Sequence, residues 1–239
     1  MANNLRKFAT VAAYQAAELI KPAVSLIEEN DDVYFDQKEV VPTFGGLTVK
    51  YYIEDPTSEV TLFNGGGGSS TSESSSESES ESGSGSGGGG VLPSKMYVDG
   101  VEETPINTWR FETAGEHIVQ YEFEDNAVPE NYFYHLSNIT GVIVGDDITE
   151  IGQNAFNVCP LTSATIGTGV TTIGELAFYD YGTITGVTIK ATTPPTLGSN
   201  ALDSEGGIGN DYPIYVPEAS VNAYKTAWSA YASRIEAIQ

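Results

Sequence analysis

The side chains of this sequence that could do chemistry are two histidines, one cysteine and thirty-three carboxylates. His117 falls in "TAGEHIVQY", an alternating, strand-like run, and His135 follows "ENYFY". Neither has a cysteine or a second histidine at metal-ligand spacing, so a zinc site is not expected. Cys159 stands alone, which excludes an intrachain disulfide framework. No G-x-S-x-G elbow occurs, and no phosphate-binding glycine loop opens a helix; "GGIGND" lies in a loop before a strand. Asp146 with Asp147, and Asp203, Glu205 and Asp211, could offer oxygens to Ca²⁺, but without EF-hand or nonapeptide spacing they read as solvated loop acids. A glycan hydrolase would need two carboxylates facing a sugar groove, and nothing selects a pair. The sequence therefore assigns no catalytic, cofactor-binding or metal residue, calls for no cofactor, and points away from an enzyme.

Charge narrows the partners. Ten basic residues against thirty-three acidic ones give a formal charge of −23. A protein that neutralises phosphates needs the opposite balance, so nucleic acid and anionic membranes are excluded as direct partners. "MANNLRKFATVAAYQAAELIKPAV" has no uninterrupted apolar run after Arg6 and Lys7, so no export signal is expected there. No run is long enough to span a bilayer, so membrane insertion is not expected either.

The elements follow from pattern. Residues 65–90, "GGGGSSTSESSSESESESGSGSGGGG", carry no apolar side chain and read as a flexible linker. As a coil they would span roughly 25–30 Å. Before them, Thr10–Ile20 reads as a short helix capped by Thr10 and stopped by Pro22. "AVSLIEENDDVYFD" reads as a hairpin about "ENDD", and "LTVKYYIEDPTSEVTLF" as a second hairpin about "EDPTSE". So short a region makes a poor core alone, which suggests oligomerisation or docking. After the linker, Tyr97, Val98, Trp109, Phe111, Ile118, Val119, Tyr121 and Phe123 alternate as in a small antiparallel sheet.

Then a repeat begins. Phe133, Phe156, Phe178 and Leu202 lie 23, 22 and 24 residues apart. Ile148 and Ile151 match Val170 and Ile173, with Leu197 in the third copy. Gly152, Gly174 and Gly198 follow directly, and Ala155, Ala177 and Ala201 precede the large residue. The runs "GVIVG", "SATIG" and "GVTIK" supply one short strand per copy. Each copy has an apolar shoulder that it can bury only against its neighbours, which is the logic of a solenoid. The glycine is expected to let the chain turn into the Ala-Phe arm. Tyr215, Val216 and Pro217 lead into a helix whose Tyr224, Trp228, Tyr231 and Ile235 would cover the last copy.

"ITEIGQNAFNVCPLTSATIG" and "VTTIGELAFYDYGTITGVTIK" resemble the leucine-rich repeats of the BspA-like class, over roughly residues 105 to 239. That resemblance implies a repeat fold serving as a binding or display surface, and it makes Cys159 a buried small residue. The second copy has Tyr181 or Gly182 near that place, which argues against chemistry there. "LRKFATVAAYQAAELIKPAVSLIEENDDVYFD" is similar to the starts of virion-surface proteins of tailed phages of gut bacteria (crAss-like phages), which implies an anchor to the virion.

The expected protein is mainly β with short helices. Residues 1–64 form a small α+β anchor that docks on a capsid or fibre protein and builds a homo-oligomer, a trimer being one option. Residues 65–90 are the linker, 91–126 a small β region capping the solenoid, and 127–239 the repeats with a C-terminal helical cap. The expected role is a head-fibre or capsid-decorating protein on the virion surface, on the outer face of the head in preference to the tail. Its repeats would bind a host-surface glycan, protein or mucus multivalently. The alternative is a bacterial cell-surface or secreted adhesin built on the same repeats.

Overall fold

The run "LTVKYYI" alternates large apolar and polar side chains, and it forms the strand on which the sheet turns. The computed structural model describes residues 44–64, 91–180, 182–204 and 212–238. The expected helix at Thr10–Ile20, the "ENDD" hairpin and the linker lie outside the described residues.

Strand β1 (Leu47–Ile53) is followed by β2 (Val60–Thr61), and beyond the insert come β3 (Lys95–Val98), β4 (Val101–Glu103), β5 (Thr108–Trp109) and β6 (Gly115–Glu122). The repeat part carries β7 (Ala127–Val128), β8 (Ile139–Val144), β9 (Glu150–Ile151), β10 (Ser163–Ile166), β11 (Thr172–Ile173), β12 (Val187–Ile189) and β13 (Thr196–Leu197). The end is β14 (Ile214–Val216), a 3₁₀ turn, helix α1 (Val221–Ala227), a second 3₁₀ turn and β15 (Ile235–Ala237). One nine-stranded sheet runs β15-β14-β12-β10-β8-β1-β6-β3-β4, and a four-stranded sheet runs β13-β11-β9-β7. A short pair joins β2 to β5.

The mainly-β repeat fold is as expected, with parallel pairing from β8 through β15. Successive coils are joined by backbone bonds on each flank: Thr162 N–H to the Thr140 carbonyl, Thr171 to Thr149, Phe156 to Ala177, each 2.8 Å. Threonine hydroxyls reinforce them, Thr162 donating to the Thr140 carbonyl and Thr185 to the Thr162 carbonyl, both at 2.9 Å. The apolar shoulders stack as the repeat demands. Phe133 and Phe156 lie 5.0 Å apart at 5°, and Phe156 and Phe178 5.2 Å apart at 13°. Leu202 takes the place of the ring in the last coil and is fully buried.

Several expectations need correction. The segment 47–63 is no hairpin: β1 pairs antiparallel with β6 on one side and β8 on the other, while β2 pairs with β5. An open edge on β6 and on β8 offers β1 many more hydrogen bonds than a two-strand hairpin would. The boundary at residue 64 is therefore misplaced, because residues 44–64 belong to the same sheet as the repeats. In the sheet, β1 stands between the strands of residues 91–126 and the first repeat strand, while Tyr121 and Phe123 pack on Phe133 and Tyr132 of the first coil. Residues 65–90 thus connect two parts of one folded body, and are not the junction between anchor and head.

The glycines also act differently. Gly152, Gly174 and Gly198 do not have positive φ. A Cβ on them would lie 2.5, 2.5 and 2.3 Å from the backbone nitrogens of Glu130, Gln153 and Glu175 in the preceding coil. Glycine is required by close coil-to-coil approach. The left-handed turn falls two residues later, at Asn154, Leu176 and Asn200, with Asn131 in the first coil (φ 53 to 57°). At the C-terminus the helix ends at Ala227. Ile235 is not on it but on β15, pairing with Ile214. Tyr224 and Trp228 do cover the last coil, donating to the carbonyls of Ala191 (2.8 Å) and Pro195 (3.0 Å).

Candidate interaction surface

Because strand side chains alternate, the nine-stranded sheet has one face on the core and one face outward. The register carries a single outward row across all nine strands: Glu102, Tyr97, Gln120, Thr48, Ile143, Thr165, Thr188, Tyr215 and Glu236. The row has two halves. Tyr97, Gln120 and Thr48 are buried, Gln120 Nε2 lying 3.3 Å from Thr48 Oγ1, and the Phe44 ring meets Tyr97 edge-on at 5.9 Å. Over the repeats, Ile143, Thr165, Thr188 and Tyr215 are half-exposed.

Beside that half lies a shallow strip. A Cβ on Gly186 would come within 3.3 Å of the Tyr215 ring, and one on Gly141 within 3.3 Å of the Lys50 stem. Gly186 thus leaves room for the Tyr215 ring to lie over the sheet, and Gly141 for the Lys50 stem. Gly141, Ser163 and Gly186 are themselves uncharged, and charges of both signs border them: Lys50 and Lys190, with Glu236 beside Tyr215 and Asp146 facing Lys190. A flat aromatic face beside rows of hydroxyls can stack on and hydrogen-bond to an extended neutral polymer. Sequence pattern placed Thr165 and Thr188 on repeat strands, and read Tyr215 as leading into the C-terminal helix; the structure puts it on β14. It read Tyr97 and Thr48 as strand residues of separate units and did not join them, or Gln120, to the repeat row, because nothing local tells β1 which strands to pair with.

The residues considered for chemistry are scattered. His117 is buried, with Nδ1 2.7 Å from Asp99 Oδ2 and Nε2 2.9 Å from the Thr113 carbonyl. The Thr113 hydroxyl lies 3.4 Å from Nε2, giving a Thr-His-Asp line. Nε2 is nevertheless aimed at a carbonyl oxygen, an acceptor to which it must donate, so its lone pair is not offered to the hydroxyl. Asp99 Oδ1 accepts the Ile118 N–H at 2.9 Å, and Phe111 packs on the ring at 4.3 Å. The group staples the β3–β4 turn to the loop before β6.

His135 is exposed at φ 62°. Cys159 is buried, its Sγ 2.9 Å from the Phe133 carbonyl, and burial pushes its thiol pKa up to about 12. Asp146 accepts the Thr168 N–H at 2.7 Å, and this bond holds its carboxyl below the ordinary range. Asp203 is described; Glu205 and Asp211 lie outside the described residues. Among the described residues no three potential metal ligands cluster, and no helix is long and apolar enough to cross a membrane.

Residues 106–208 match the family model described as a BspA type leucine rich repeat region, in six copies. No curated protein matches the chain. The repeat part is similar to BspA-type repeats, in agreement with the stacked coils, and such regions serve as repeat and binding modules.

Proposed function

We propose that this chain is a non-enzymatic display protein whose repeat sheet binds an extended glycan on a cell surface or in mucus. The carrying observation is the half-exposed run Ile143, Thr165, Thr188 and Tyr215 beside the Gly141, Ser163 and Gly186 strip. Each contact there is weak. Many copies on one support turn weak contacts into useful avidity. The high negative charge limits association between crowded heads.

The support is a virion in this reading, on the similarity of residues 5–36 to virion-surface anchors. Residues 1–43 dock on a capsid or fibre protein as a homo-oligomer. A second reading, a bacterial surface adhesin, is favoured by the BspA-type match and uses the same binding face. Beads coated with the full chain should capture neutral surface polysaccharide or mucin glycans, and Tyr215→Ala combined with Thr188→Ala should abolish capture without loss of folding. Equal capture by the double variant refutes the face. Labelling with an antibody to the head then separates the supports, since it decorates purified particles in the first reading and intact cells in the second.

A further inference from the structure

Strand β1 reaches the middle of the sheet from the far side of a twenty-six-residue insert. Its inward side chains Leu47, Val49, Tyr51 and Ile53 are all buried. It pairs along seven residues with β6 and along five with β8. The stretch from β2 to Asn64 is also locked. Leu62 and Phe63 are fully buried, and Phe63 stacks on Tyr132 at 4.8 Å and 4°. The Tyr51 hydroxyl bonds the Leu62 carbonyl and the Tyr121 hydroxyl. Asn64 donates from its backbone to the Tyr132 carbonyl and from its side chain to the Tyr134 carbonyl, each at 2.8 Å.

None of these contacts involves residues 65–90. We infer that the slot between β6 and β8 is a strand-acceptor site whose partner is the chain's own segment 44–64, held non-covalently. In this inference the insert's part is to keep that segment at high local concentration. Without β1, β6 and β8 would both present open edges above an uncovered core, so occupancy is strongly favoured. The chain coming from the first 43 residues enters the head at β1, and the insert lies on the far side of that segment in sequence. Cutting the insert therefore leaves the head attached, whereas a tether at the same place would release it at the first cut. The inference holds whatever the head binds.

The test uses the full chain with a specific protease site placed within residues 65–90, cut to completion. At low micromolar concentration the cut protein should keep the mass of the uncut chain by light scattering, while a denaturing gel shows two fragments. Separation of the fragments under native conditions overturns the inference. Val49→Ala, whose folding is verified before cutting, should raise the fragments' dissociation constant roughly tenfold or more. Tyr52→Ala, at an exposed outward position, should leave it unchanged. A Val49→Ala chain that holds its fragments as tightly as the parent also overturns the inference.

Discussion

Leu176 sits at φ 55°, where the other three coils place Asn131, Asn154 and Asn200. A left-handed conformation costs an L-residue about 1–2 kcal/mol, and asparagine tolerates it best after glycine. Replacing a half-buried leucine also removes apolar contacts, so the clean comparison is between two variants that both lose the side chain. Leu176→Ala keeps a Cβ in the left-handed region, and Leu176→Gly does not. At an ordinary position glycine is the less stable of the two by about 0.5–1 kcal/mol, through the entropy of the unfolded chain. Here the conformational term opposes that entropy and exceeds it. Leu176→Gly should be the more stable by about 0.5–1 kcal/mol, or about 1–4 °C in Tm for a body of this size. Glu175, the exposed neighbour without positive φ, provides the control: Glu175→Gly should be less stable than Glu175→Ala. Urea unfolding followed by far-UV circular dichroism measures both pairs. If alanine equals or exceeds glycine at position 176, the left-handed turn is not what the repeat requires there.

Three further outcomes are expected. Gly174→Ala places a Cβ 2.5 Å from the Gln153 nitrogen and 2.7 Å from the Gly152 carbonyl carbon, so coils must part. It should cost about 1–3 kcal/mol in urea unfolding. Cys159, with its thiol pushed up to about 12 and its side chain buried, should resist alkylation at pH 8 in the native protein and react promptly in denaturant, as read by mass spectrometry. The Asp146 carboxyl is depressed in the folded state, chiefly by the Thr168 amide, so its contribution is present above the unfolded value of about 4 and is lost as pH falls through the folded value. Asp146→Asn should therefore lower stability at neutral pH and reduce its fall on acidification; an acid limb identical to the parent's would contradict this.

The repeat was legible because a solenoid writes its tertiary contacts into one local period. Each buried Phe meets its equivalent about 22 or 23 residues on, so spacing located the stack and the strands between copies, while the burial of Cys159 was implied by the resemblance to BspA-like repeats. Gly152, Gly174 and Gly198 were found by the same spacing but for another reason. Their backbone angles are ordinary, and only the neighbouring coil, at 2.3–2.5 Å from a notional Cβ, excludes a side chain. The left-handed turn at Asn154 and Asn200 was assigned instead to the glycines; asparagine is the residue type that favours it, but Leu176 breaks that pattern in the copy between them.

Sequence by itself determined the mainly-β repeat architecture, the acidic surface and the inward residues of each coil, because these depend on composition and on periods that strands and coils impose. Tertiary structure alone decided where β1 goes. Its alternation states that one face is buried, yet is equally compatible with a local hairpin and with a distant sheet. The choice was made by two open strand edges, on β6 and β8, which only the assembled repeats and cap create. The same event decided that residues 44–64 belong to the head and that residues 65–90 are an insertion within it. Backbone hydrogen bonds carry no residue code, so their partners are set by which edges the rest of the fold leaves unpaired.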